Sequence, residues 1–283
     1  MSLGILTNVA ATYAENNLNQ TQNSLQTVLQ QLSSGSRINS GADDAAGLSI
    51  SDGLKANEAA LTQSAQNAQN GVGLLQTADG ALSQVTNLLD RATTLATEAS
   101  NGGLTAAQSS AANTEFQSIV TEIGNIGSST NFNSTNVFSA AATSFVVSDG
   151  TAAGTTTIAA TTGALSGASV GTAVGGGAGQ SLAADVLTST AAATTALGNI
   201  TTAIADVSNQ RGAIGANINQ LNAASNVASS EEVNLSAAQS TIQSTNYGQA
   251  TSDLAKFQVL SQTGISALAQ ANSVQQEILK LLQ

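Results

Sequence analysis

The chain has 283 residues, 17 of them acidic and only 6 basic, for a net charge of −11. An acidic chain this short of lysine and arginine cannot neutralise a row of phosphates, which excludes nucleic acid and anionic membrane surfaces as partners. With no histidine and no cysteine, zinc sites of Cys/His type and Ser-His-Asp or Cys-His catalysis are ruled out, and no apolar run reaches the roughly 20 residues of a membrane helix.

From the N-terminus, MSLGILTNVAATYAENNLNQ contains no basic residue before Arg37, so it lacks the charged opening of a cleaved secretory signal. Leu18, Leu25 and Leu32 then fall at sevenfold spacing with Val28 and Leu29 beside them, which predicts an amphipathic helix. LSSGSRINSGADDAAGLSI (32–50) follows and reads as a corner between helices. Gly35 suits the left-handed residue that closes the first helix, and Arg37 is placed to reach its free carbonyls. Ser40, Asp43 and Asp44 are the capping types for the amides that open the next helix.

That next helix carries the longest pattern. Leu54, Leu61, Ala68, Leu75, Leu82, Leu89 and Ala96 recur every seven residues, with Leu74, Ala81, Leu88 and Leu95 on an adjoining row. Asn101-Gly102-Gly103 breaks it. A shorter helix follows around 106–126, where Phe116, Ile119, Val120 and Ile123 are helically spaced, and Asn131-Phe132-Asn133 ends it.

From about 139 to 185 the composition turns to Ala, Gly, Thr and Ser. SFVVSDGTAAGTTTIAA (144–160) has β-branched runs around an Asp-Gly turn and predicts a hairpin; SGASVGTAVGGGAGQS after it is low-complexity and uncharged. Ile200, Val207, Ile214, Leu221, Ala228, Leu235 and Ile242 then restore the sevenfold spacing, with Leu197, Ile204 and Ile218 at alternate positions. The C-terminal stretch holds the row Leu260, Ala267, Val274 and Leu281, widened by Phe257, Leu268, Ile278 and Leu282.

With 2% aromatic residues the chain fills thin helix–helix seams, not a thick core. The predicted fold is mainly α: a long antiparallel helical bundle or coiled coil with paired N- and C-terminal segments and a small β-containing central insertion. The terminal stripes are expected to meet each other, and copies of themselves, only in an assembly.

Little in the chain suits catalysis. GTAVGGGAGQS lacks the Gly-Lys-Ser/Thr of a phosphate loop, because Gln180 follows Gly179. Adjacent acids such as Asp43-Asp44 and Glu231-Glu232 point about 100° apart on a helix and cannot face one substrate. No catalytic, cofactor or metal residue is assigned and no enzyme activity is expected. Residue patterns alone leave two structural readings, an open polymer and a discrete coiled-coil scaffold or adhesin.

The corner motif decides between them by resemblance. LSSGSRINSGADDAAGLSI, QNAQNGVGLLQTADGALSQVTNLLDRATTLATEAS (66–100) and the segment from RGAIGANINQLNAASNVASSEE to the C-terminus resemble bacterial flagellin over about residues 1–138 and 190–283. Hook–filament junction proteins share the first motif but tend to carry proline near the aspartate pair, where this chain has Gly41-Ala42 and Ala45-Ala46.

The resemblance implies a self-assembling subunit of the extracellular flagellar filament, used for swimming motility. It would be exported unfolded through the flagellar secretion apparatus and polymerised at the distal tip. Residues 1–40 and 249–283 would form the halves of an inner coiled-coil core, 41–138 and 186–248 a helical rod domain, and 139–185 an outward insertion. Leu18, Leu25, Leu32, Phe257, Leu260, Leu268, Val274, Ile278 and Leu281 would form the self-assembly seam. Implied partners are other copies of the chain, an export chaperone, the filament cap, hook-associated junction proteins and an innate immune receptor. The receptor stretch corresponds to 89–99, where Leu89, Arg91 and Leu95 match but Thr93 and Thr94 replace the usual arginine and glutamate. Asn246 and Thr251 likewise stand where acidic residues are usual.

Overall fold

The computed structural model describes residues 8–149, 156–173 and 177–281, the side chains at 275 and 278–281 excepted. Among the described residues the chain runs through helices α1 (Val9–Ser34), α2 (Ala45–Ser100), α3 (Ala106–Ser129), α4 (Thr190–Gln243) and α5 (Tyr247–Leu281). Between α3 and α4 lie the short strands β1 (Asn131–Phe132), β2 (Thr135–Asn136), β3 (Thr143–Val146), β4 (Thr157–Ala160), β5 (Val170–Thr172) and β6 (Ala178–Gln180). The fold is mainly α, with its first and last helices paired and a small strand-bearing centre. At 1.5 Å per residue α2, with 56 residues, is about 84 Å long. Threonine hydroxyls within these helices bond back to the carbonyl four residues earlier, as at Thr86, Thr93, Thr121 and Thr201.

Two compact units divide the chain, one built from residues up to 56 together with those from 234 on, the other from 57–233. In the second unit α2 and α4 run antiparallel. Arg211 on α4 bonds Asp79 on α2 at 2.8 Å, and Gly71 lets α2 approach Leu221. The sevenfold rows form its core: Leu61, Ala68, Leu75, Leu82, Leu89 and Ala96 meet Ile200, Val207, Ile214 and Leu221, all buried. Phe116, Ile119, Val120 and Ile123 of α3 complete it. A capping box starts α3, with the Gln108 N–H donating to Thr105 Oγ1 and the Thr105 N–H to Gln108 Oε1.

The central segment forms three two-stranded antiparallel ladders. The predicted hairpin pairs β3 with β4, Phe145 opposite Ile158; its Asp-Gly turn includes Gly150, which lies outside the described residues. The low-complexity stretch contributes β5 and β6. Val170 within it and Leu165, Leu182 and Leu187 on either side are buried in the core of the unit. Polar side chains of α4 hold the same stretch by its backbone. Asp206 Oδ2 accepts from the Gln180 N–H at 2.9 Å, Asn209 donates to the Thr172 carbonyl, and buried Gln210 donates to the Thr162 carbonyl.

Candidate assembly surface

The terminal helices belong to the first unit and pair with each other within one chain, contrary to the expectation that they meet only in an assembly, because small residues such as Gly264 let the two helices of one subunit close on each other. Asn8 Nδ2 donates to the Ala271 carbonyl, Leu18 packs on Gly264, and Gly35 abuts Tyr247, so α1 and α5 run antiparallel. The sheltered positions of α1 are Ala11, Ala14, Leu18, Thr21, Leu25, Val28 and Leu32, alternating by three and four. Those of α5 are Ala250, Leu254, Phe257, Ser261, Gly264, Leu268 and Ala271, in the same alternation. Such spacing is that of a coiled-coil seam. The register set by the three contacts puts small residues opposite large ones, as where Gly264 receives Leu18.

Of the predicted seam, Leu18, Leu25, Leu32, Phe257 and Leu268 therefore face the partner helix. Leu260 and Val274 do not, being 43% and 42% exposed. The side chains of Ile278 and Leu281 lie outside the described residues. Sequence reading overlooked Ser261, Gly264 and Ala271, because small residues score weakly as apolar. Their spacing from Phe257 and Leu268 was the available signal. A second apolar set is left outward: Val9, Tyr13 and Leu29 on α1, with Val259, Leu260, Ile265 and Val274 on α5.

The corner residues meet at the base of this coil. Gly35 closes α1 in the left-handed conformation, φ 71°, its N–H donating to the Gln31 carbonyl. Asp44 Oδ1 accepts from the Gly47 N–H and so caps α2. Asp43 turns back instead: its Oδ2 accepts from the Asn39 and Ser40 N–H groups and from the Ser40 hydroxyl. Those bonds, from Asn39 first and then Ser40, hold its carboxyl below the usual aspartate range. Ser40 thus acts as a donor to Asp43.

Arg37 reaches a different helix from the one its sequence position suggests. Its Nη2 donates to the Ile242 carbonyl at 3.0 Å and its N–H to the Gln243 carbonyl, both at the end of α4. Those carbonyls lack intrahelical donors and sit at the negative end of the α4 dipole, so the guanidinium is attracted there. A bridge between Ser36 and Ser244, and the Thr245 N–H to the Gly35 carbonyl at 3.1 Å, tie the two junctions together. Asn246 Oδ1 accepts from the Gln249 N–H and opens α5.

In the second unit, Leu89 and Leu95 are buried, while Arg91 is exposed and bonds Glu115 at 2.7 Å. The hydrogen bond to Arg91 lowers the pKa of Glu115, and the same bond raises that of Arg91. Among the described residues no three or more acidic, histidine or cysteine side chains gather to hold a metal, and no helix is long and apolar enough to cross a membrane.

Comparison with known proteins bears directly on this arrangement of paired ends. The model of the bacterial flagellin N-terminal helical region matches residues 5–143, and that of the C-terminal helical region matches residues 197–282. The chain belongs to the bacterial flagellin family. It is similar along nearly its whole length to a flagellin of Halalkalibacterium halodurans, 32% identical over 275 residues covering 97% of this chain and 98% of the relative. Flagellin FlaB2 of Treponema pallidum is 32% identical over 284 residues, with 97% and 98% covered. The crystal structure of Bacillus cereus flagellin is matched at 26% identity and a TM-score of 0.46, over 57% of this chain and 88% of that one. Flagellins are structural proteins, and this one is a self-associating subunit of the extracellular flagellar filament.

Proposed function

We propose that this flagellin polymerises through its α1–α5 coil. In this reading residues 1–40 and 249–283 line the inner tube, 41–138 and 186–248 form the surrounding rod layer, and 139–185 face outward. The observation that carries the proposal is the second apolar set on the coil. One intramolecular partner satisfies the seam and leaves Val9, Tyr13, Leu29, Val259, Leu260, Ile265 and Val274 in water. Apolar surface left exposed in this way is covered by association. A head-to-tail contact between unlike faces of identical subunits does not close and so extends into a filament.

Export unfolded through the flagellar apparatus, with a chaperone on the C-terminal helix and growth beneath a distal cap, supplies subunits to that surface. Hook-associated junction proteins present the first copy with a matching one. To an innate immune receptor the 89–99 stretch offers Arg91 at the surface, since Leu89 and Leu95 are committed to the core. Deleting residues 1–30 or 255–283 is expected to leave a helical, soluble protein unable to polymerise. Normal filaments from either truncation, seen by electron microscopy, would reject the proposal. So would sedimentation of the full chain as a finite dimer or trimer at every concentration.

A further inference from the structure

The chain contains the dipeptide Asn-Gly twice, at 70–71 and 101–102, in opposite structural settings. We infer that Asn101 is a site of spontaneous conversion to aspartate and isoaspartate in the folded protein, and that Asn70 is protected from the same reaction.

The chemistry needs only the chain and water. The backbone nitrogen of the following residue attacks the side-chain Cγ of asparagine. A nitrogen–carbon bond forms, the Cγ–Nδ2 bond breaks, and the amide nitrogen leaves as ammonia. Water then opens the five-membered imide at either carbonyl, giving aspartate or the β-linked isoaspartate. One water enters, one ammonia leaves, and nothing is oxidised or reduced. The attacking nitrogen has to lose its proton, so the rate rises with pH. Glycine as the following residue puts no Cβ in the way of the attack.

Asn101 meets each requirement. It lies just past the end of α2 in the loop to α3, and residues 101–103 are all exposed. Neither its side-chain amide nor the Gly102 N–H has a hydrogen-bond partner; the bonds here run from the Asn101 N–H to Glu98 and from the Gly103 N–H to Asn101. Nothing lies within 4 Å of where a Gly102 Cβ would stand, so no neighbour restrains the turn. Asn70 has the same neighbour in the middle of α2. There the Gly71 N–H is spent on the helix, and helical ψ holds it away from Cγ. Gly71 is buried, with Leu221 and Phe145 against it. Asn39, before Ser40, is guarded in another way, its own amide held by Ser36 and the Ser40 N–H by Asp43.

Each conversion at Asn101 adds one negative charge to the α2–α3 loop, so the modified fraction records the age of the protein. The test is to incubate the full-length folded protein at mildly alkaline pH, then denature it and cleave after glutamate. Glu98 and Glu115 bound a fragment of residues 99–115 holding Asn101, and Glu58 and Glu98 bound one of 59–98 holding Asn70. Fragment 99–115 is expected to gain the mass of amide-to-acid exchange and to split into aspartate and isoaspartate forms, while 59–98 stays unchanged. Gly102→Ala, which has room for its methyl, is expected to keep the helical circular dichroism and slow the conversion several-fold. Equal conversion at Asn70 and Asn101 in the folded protein would overturn the inference. So would an unchanged 99–115 under conditions that convert the same sequence as a free peptide.

Discussion

The two units are written in the same alphabet, alanine with leucine, isoleucine and valine at sevenfold spacing, yet they end in different states. In the 57–233 unit the rows on α2 and α4 are buried along their length, from Leu61 to Ala96 and from Ile200 to Ala228. In the terminal unit only Val28 on α1 and Ala250 on α5 are buried among the seam residues. The difference lies in the number of partners. The stripes of the larger unit share one buried cluster with α3 residues and with Leu165, Val170, Leu182 and Leu187 from the centre. A two-helix coil has one cover per stripe. Periodicity predicts which residues face a partner, and the count of partners decides how dry the contact becomes.

Substitutions of like size in the two units should separate these cases. Leu82→Ala, in a fully buried row, is expected to lower the stability of the 57–233 unit by about 2–5 kcal/mol, read from the urea midpoint. Asp206→Ala strips the half-buried Gln180 N–H of its acceptor and should cost about 1 kcal/mol, with earlier proteolysis near residues 170–182. Asp206→Asn keeps an oxygen there and should be milder. Leu260→Ala should change the stability of the isolated chain by about 0.5 kcal/mol or less, as for exposed sites, while raising the concentration needed for polymerisation. An unchanged threshold would mean that the outward row on α5 takes no part in assembly.

The smallest effect concerns pH. Asp43 has its pKa lowered by the bonds from Asn39 and Ser40, so its contribution is fully present above the ordinary aspartate range and is lost as pH falls through the depressed value. Amide exchange at Asn39 and Ser40 should therefore quicken on acidification, after correction for intrinsic rates. In Asp43→Asn that pH dependence should flatten. Identical profiles in the two proteins would show that the carboxylate does not hold the turn.

Much of this was legible in residue order. Leucines at sevenfold spacing are large and regular, so α2 and α4 could be read directly, and Gly35 and Asp44 sit where a helix end and a helix start require them. The α5 seam was harder, because Ser261, Gly264 and Ala271 matter by being small enough to admit α1. Arg37 bonds a carbonyl 205 residues away, and no local pattern announces such a partner. The centre was the least readable part. Its composition suggests an exposed insertion, but scattered apolar residues and three polar side chains from α4 fix it to the larger unit. Those side chains grip main-chain groups, which every sequence has alike.

The strap between residues 35–37 and 242–245 makes the two helix junctions one clasp. Neither is secured by its own helix alone; the Arg37 guanidinium, the Ser36–Ser244 bridge and the Thr245–Gly35 bond span both. Opening at either side therefore releases both arms together, and closing needs the first and last thirds of the polypeptide to be present at once. A subunit still emerging, whichever end leads, has only half a buckle.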